Sequence, residues 1–393
     1  MKIVLAPDSF KGSLTASQAC AAMSVGVRRA VPDAVIAQVP LADGGEGTME
    51  ILVAAQGGCF VECAAVDALG APVIARIGLL PGRRAVVEVA EMAGLAAIAK
   101  ELRNPLLATS FGVGQAVRLA LDKGAREVIV CLGGSATNDG GAGFLQALGA
   151  RLLDDRGEEL PRGAGALPRL AQIDLAAFDA RVADTVFTAA CDVDAPLVGE
   201  RGASVVYGPQ KGATLEMVRQ LDDALGHFAA VILADFGRDV RDIPGAGASG
   251  GVAAALLGFC RATLISGANL VQDAVGFQAA LRGAALVITG EGRCDRQTLQ
   301  GKVVSGVARA ARMEGVPAVV LAGVLGEGHE ALYEHGLTAA FALADGSIAQ
   351  QEAMARAAEL AAAAAERVVR LFAAGWRCAL FARGNHDVPN EPR

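Results

Sequence analysis

Residues 133–143 read Gly-Gly-Ser-Ala-Thr-Asn-Asp-Gly-Gly-Ala-Gly, five glycines and four polar side chains between an apolar β-branched run (128–132) and an apolar helical pattern from Phe144. Glycine lets a backbone approach a ligand closely. A strand that opens through such a loop into a helix presents N–H groups to an anion. Ser135, Thr137, Asn138 and Asp139 add side-chain donors and acceptors. The chemistry this spacing offers is binding of phosphate, carboxylate or Mg²⁺.

Comparable loops recur after other apolar runs. They are Asp8-Ser9-Phe10-Lys11, Asp43-Gly44-Gly45-Glu46, Gly290-Glu291-Gly292-Arg293-Cys294-Asp295, Cys191-Asp192 and Gly208-Pro209-Gln210-Lys211. Taken singly, each has an ordinary use as a turn or helix cap. Thr109 and Ser110, and Ser13 or Thr15, are expected to cap the helices that follow them. Gly245, Gly247 and Gly250 match the dinucleotide fingerprint by letters, but Asp242-Ile243-Pro244 leaves no strand ahead of them; close packing is the expected use. No P-loop is present, since Arg296 stands where Gly301-Lys302 would need the first glycine. The protein-kinase His-Arg-Asp triplet and the Gly-x-Ser-x-Gly elbow are also missing. Carboxylates for Mg²⁺, lysines for phosphate charge and glycine turns remain, the parts that phosphoryl transfer requires.

The elements that must carry these loops follow from hydrophobic patterning. Strand, helix, strand and helix are expected at 3–6, 16–31, 34–39 and 47–56. The same alternation returns at 286–289, 302–314, 318–322, 339–343 and a long Ala-rich helix over 349–373. Between them, strands at 59–66, 73–80 and 85–89 are joined by hairpin turns. A helix at 109–123, a strand at 185–191 and helices at 215–236 and 248–260 complete that middle part. The pattern is α/β: a Rossmann-like doubly wound parallel-sheet domain (1–60 plus 285–376) with a second, mixed α/β domain (61–284) inserted in it. Residues 377–393 are expected to be a disordered tail. Ligands should gather at the carboxyl ends of the parallel strands, where these loops lie.

Composition narrows the function classes. The net charge of −7 and an aromatic content of 4% argue against a nucleic-acid partner. No apolar run has the length of a membrane span or a secretory signal. The eight cysteines are scattered and are expected to be buried or inert thiols. A cytoplasmic protein acting on small molecules, as a monomer or homodimer, is the expectation.

Together, residues 6–13, 42–48, 133–141, 191–194, 208–214, 289–292 and 295–302 resemble the bacterial glycerate kinase family of the glycerate 2-kinase type. The matching stretches span nearly all of residues 1–345 in order. Two departures are Ala195-Pro196, where the family more usually has Asn-Pro, and the extended tail. The resemblance implies ATP-dependent phosphorylation of D-glycerate, at the 2-hydroxyl, giving 2-phosphoglycerate. Asp8, Lys11 and Asp192 are then the expected catalytic groups. Ser9, Ser135, Thr137, Asn138, Asp139 and Lys211 are expected on the substrate side, with Lys211 also a candidate for phosphate charge. Gly290, Gly292 and Lys302 are expected to contact the nucleotide, and Asp43, Glu46, Glu291 and Asp295 to hold Mg²⁺. The same loops could serve another short hydroxy acid. A non-catalytic binding protein of this fold would have lost charged positions that are all occupied here.

Overall fold

A computed structural model describes residues 1–299, 303–344, 346 and 348–384. The chain divides into two compact units, one of residues 1–41 with the segment from Gly276 onward, the other of residues 42–275. The described strands are β1 (Lys2–Leu5), β2 (Val35–Gln38), β3 (Cys59–Val66), β4 (Pro72–Leu80), β5 (Arg84–Glu88), β6 (Glu127–Cys131), β7 (Arg151–Leu153), β8 (Gln172–Asp174), β9 (Val186–Ala190), β10 (Thr263–Ile265), β11 (Leu286–Cys294), β12 (Ala318–Leu325) and β13 (Ala339–Ala342).

The first unit is a five-stranded sheet in the order β13-β12-β11-β1-β2, parallel throughout. This is the expected doubly wound sheet, and its strand order reverses between β1 and β11. Ile3, Val4 and Leu5 are all fully buried, so β1 reads as a continuous apolar run rather than an alternation. The helix Ala16–Ala30 begins at a Thr15–Gln18 capping box, so that of the two expected caps, Ser13 and Thr15, it is Thr15 that serves. It lies along the helix Ala357–Gly384, and a Cβ on Gly26 would stand 2.0 Å from the Ala362 carbonyl oxygen. Met23, Val27, Leu321 and Val369 join β1 and β11 residues in the core there. The long C-terminal helix differs from expectation. It is interrupted at Arg356 and runs on to Gly384, so residues 377–384 are helical rather than part of a tail. Residues 385–393 lie outside the described residues.

The second unit is a six-stranded sheet, β10-β9-β6-β5-β4-β3. Its strands β5, β6, β9 and β10 are parallel, while β4 and β3 form an antiparallel edge. The division between the units falls at 41/42 and 275/276, not near 60 and 285. Residues 42–60 belong here because the helix Thr48–Gln56 packs on β4, where the bare Cα of Gly78 makes room for Val53 and Met49. Residues 276–284 are instead tied to β1, with Lys2 Nζ donating to the Arg282 carbonyl (2.9 Å). The short strands β7, β8 and β10 were not foreseen. Three residues are too few to show a period. Residues 203–207 form a helical turn.

Candidate functional site

In the first unit β1 and β11 flank the reversal, and β11 runs on past the end of β1, so that Gly290–Cys294, expected as a loop, lie in the strand and pair with β12. Ala6 N donates to Ile288 O and Asp8 N to Gly290 O, both at 2.8 Å, and Thr289 Oγ1 donates to Ala6 O at 2.8 Å. Asp8, Ser9 and Lys11 are therefore brought beside Gly290, Glu291 and Gly292. Asp8 is buried and its Oδ1 accepts from Ser9 N (2.6 Å). Lys11 is exposed. Buried Glu291 accepts from Thr298 Oγ1 (2.7 Å), which itself accepts from Asp295 N (3.1 Å). Asp295 is paired with Arg293 at 2.8 Å. Gly290 has a packing reason to be glycine, since its Cβ would stand 2.6 Å from Leu321 O. Lys302 lies outside the described residues.

In the second unit β5, β6, β9 and β10 are parallel and end on one edge. The 133–143 loop follows β6 and is pinned to the 42–48 loop by Gly133 N donating to Gly44 O (3.0 Å). A Cβ on Gly133 would stand 2.4 Å from Gly45 Cα, which explains a glycine there. Asp139 is fully buried and accepts from Ser110 N (2.8 Å), Ser110 Oγ (2.9 Å), Gly141 N (3.1 Å) and Gly143 N (3.2 Å). Burial raises its pKa against these bonds. Asp139 thus holds the loop closed rather than facing a ligand. Ser110, expected only as a cap, serves as its partner and also accepts from Phe144 N (2.9 Å). Thr137 Oγ1 donates to Ser249 O (3.0 Å), and a Cβ on Gly250 would stand 2.0 Å from Thr137 O. The 245–251 run is therefore the packing partner of the 133–143 loop.

The remaining polar groups of that loop are differently placed. Asn138 Nδ2 donates to Ser204 Oγ (2.9 Å), while its buried Oδ1 has no partner among the described residues. Lys211 is buried, and Nζ donates to Thr137 O (2.6 Å) and Ser135 Oγ (3.3 Å). Removal from water lowers its pKa to about 7, with the nearby charge of Asp139 pulling the other way.

Acidic groups gather on the same edge. Asp43 Oδ1 accepts from Gly45 N (3.2 Å), and Glu46 is exposed. Half-buried Asp192 follows β9 and accepts from Ala268 N (2.9 Å), in the first turn of the helix Gly267–Ala274. Its pKa is raised, by burial first and by the charge of Asp43 among lesser causes. Glu88, at the end of β5, was not foreseen. It accepts from Gly47 N and Met49 N, both at 3.0 Å, and burial pushes it up to about 7. The signal was a carboxylate closing an apolar strand, without the glycine turn that marked the other loops. Among the described residues no three His, Cys, Asp or Glu side chains form a cation cage. The cysteines are free, and burial raises the thiols of Cys20, Cys63, Cys131, Cys260 and Cys294, leaving them inert.

Carboxylates, glycine turns and a buried lysine at the ends of parallel strands are the equipment of a phosphoryl-transfer enzyme. The sequence model described as the glycerate kinase family matches residues 3–373. The chain belongs to the glycerate kinase family, and with it to the ATP-dependent kinases. It is 48% identical over 367 residues to a glycerate kinase of Halalkalibacterium halodurans, covering 93% of this chain and 97% of that one. It is 45% identical over 344 residues to glycerate 2-kinase of Escherichia coli, covering 87% and 90%. A crystal structure of a Salmonella typhimurium LT2 protein described as glycerate kinase 2 superposes with a TM-score of 0.81 at 44% identity, covering 96% of this chain and 99% of that one.

Proposed function

We propose that this chain transfers the γ-phosphoryl group of ATP to the 2-hydroxyl of D-glycerate, giving 2-phospho-D-glycerate and ADP. The observation that carries this reading is the unbroken similarity, 45–48% identical over about nine-tenths of the chain, to proteins named glycerate kinase and glycerate 2-kinase. In the reaction the hydroxyl oxygen bonds to the γ-phosphorus, the bond to the β-bridging oxygen breaks and the hydroxyl proton passes to a base. Asp192 and Asp8 are the carboxylates we assign to that proton. Asp192 has the better case, since a base poised above the ordinary aspartate range suits proton transfer near neutrality. Ser9 and Lys11, with the backbone at Gly290 and Gly292, are assigned to phosphate. Ser135, Asn138 and Lys211 are assigned to the acceptor acid, while Thr137 and Asp139 serve by holding their loop. Mg²⁺, which binds through one or two carboxylates plus phosphates, would be held by Asp43 and Glu46 or by Glu291 and Asp295, and would neutralise phosphoryl charge. No described helix is long and apolar enough to cross a membrane; small-molecule partners, a cytoplasmic location and a monomer or homodimer accompany this reading.

A coupled ADP-release assay across D-glycerate, tartronate and tartrate tests the proposal, with phosphorus NMR to read the product. Turnover of D-glycerate to the 2-phosphate is expected. No turnover of D-glycerate would overturn the reading, and 3-phosphoglycerate would move the attack to the other hydroxyl.

A further inference from the structure

We propose that Lys211 is the counter-charge for the carboxylate of the acceptor acid, with Ser135 beside it, rather than a phosphate ligand. The inference rests on the glycerate kinase reading and assigns a chemical role within it. The 133–143 loop looks from its sequence like a backbone cradle for an anion, but six of its eleven N–H groups donate inside the protein. Those of Gly133, Ala136, Gly140 and Ala142 donate to the carbonyls of Gly44, Ala93, Gly250 and Asp139, and those of Gly141 and Gly143 donate to the Asp139 carboxylate. The positive charge beside this loop is one buried ammonium group, that of Lys211.

That group has three N–H bonds, and two are taken by the neutral acceptors Thr137 O and Ser135 Oγ. Among the described residues no carboxylate pairs with it at ion-pair distance. Asp139, the anionic group acting on it electrostatically, already accepts four donors. A buried cation without a counter-ion is costly, and an anionic ligand removes that cost. The lysine is also held from behind. Arg103 Nη1 donates to Gln210 O (3.3 Å), while Nε and Nη2 donate to Ile98 O (3.1 Å) and Leu95 O (3.2 Å). Leu95 N in turn donates to Gly134 O (2.8 Å), so one guanidinium ties the Lys211 turn to the segment that pairs with the glycine loop. One remaining N–H and one adjacent hydroxyl match the two oxygens of a monoanionic carboxylate. A transferring phosphoryl group, with three oxygens and more charge, needs a larger donor set.

The test compares D-glycerate with its neutral amide, used as a competitive inhibitor, in the full-length wild type and in Lys211→Met. The variant's KM for D-glycerate should rise ~10–100-fold, the range of a charge-assisted hydrogen bond, toward the amide's inhibition constant. The amide's constant and the KM for ATP should not move. An unchanged KM for D-glycerate, or a loss that falls on ATP or equally on the amide, would overturn the assignment. Should the variant fail to fold, the wild type alone decides. Its KM for D-glycerate should climb above pH ~7, as free Lys211 loses its proton, while the amide's constant stays level; parallel pH dependences overturn the assignment. A wild type that does not turn over D-glycerate would instead refute the kinase reading beneath it.

Discussion

Asp139 and Asp192 both follow strands of the second unit, but their oxygens are committed differently. Asp139 is fully buried and satisfies four donors inside the protein, whereas Asp192 is half-buried and is held at the start of one helix by Ala268 N, with the Ser266 side chain and Gly267 N also acting on it. Asp139→Ala strands several buried donors, each costing ~1–3 kcal/mol. We expect urea unfolding to show a loss of about 3 kcal/mol or more, with activity falling because the protein unfolds. Asp192→Asn keeps an acceptor for Ala268 N and removes the negative charge. Its unfolding midpoint should stay near wild type while kcat drops ~10²-fold or more, the range for a lost general base. A wild-type kcat in Asp192→Asn would take the proton away from this residue. The letters alone could not separate the two aspartates, because each stands in a polar turn after a strand.

At the scale of elements, the long helices and the starts of the long strands were legible, because periodicity is a local property, while β11 and β12 run on beyond the expected 289 and 322. Of the two caps the sequence offered for the first helix, Ser13 and Thr15, the structure uses Thr15, and the helix expected over 215–236 is present with Thr214 as its N-cap. What pairs with what is not local. Glycine weakens a helix interior, but Gly26 gives the helix Ala16–Ala30 its close approach to the helix Ala357–Gly384. Gly26→Ala would drive a methyl group into the backbone of the helix Ala357–Gly384, and such overpacking costs ~1–3 kcal/mol. Thermal unfolding should register that loss, although alanine is the better helix former. A variant at least as stable as wild type would mean that the helix pair shifts freely. The 245–251 glycines follow the same logic, since their value lies in the loop they touch.

For the molecule as a whole, two buried groups shape the dependence of stability on pH. Glu88 is pushed from 4.5 up to about 7, so the folded state binds more protons than the unfolded state between those values, and stability falls as pH rises through them. Lys211 is lowered from 10.5 to about 7. The unfolded state therefore binds more protons from about 7 to 10.5, and stability rises again across that span. Together the two contribute a sag centred near pH 7, at most ~3 kcal/mol deep from the Glu88 side at 1.36 kcal/mol per unit. Urea unfolding at pH 5.5, 7 and 9 should show it. Glu88→Gln should flatten the acidic limb and Lys211→Met the alkaline one; unchanged limbs would mean that neither charge is held out of water.

The α/β class and the family were legible in the sequence, because these rest on strand and helix periods and on loop residues in a fixed order. Asp8, Asp43, Ser135, Asp192 and Lys211 were all singled out by their place in polar loops. Only the tertiary structure showed which neighbours those residues bond. It engaged six of the N–H groups of residues 133–143 internally, and it bound the side chains of Asp139 and Thr137 to neighbouring groups of the fold. It moved residues 42–60 into the second unit, brought in Glu88 from the end of β5, and left Lys211 buried beside neutral acceptors. The reason is that a hydrogen-bond partner 40 or 70 residues away, as for Glu88 or Lys211, leaves no trace in local sequence, yet it fixes whether a polar group is still available to a ligand.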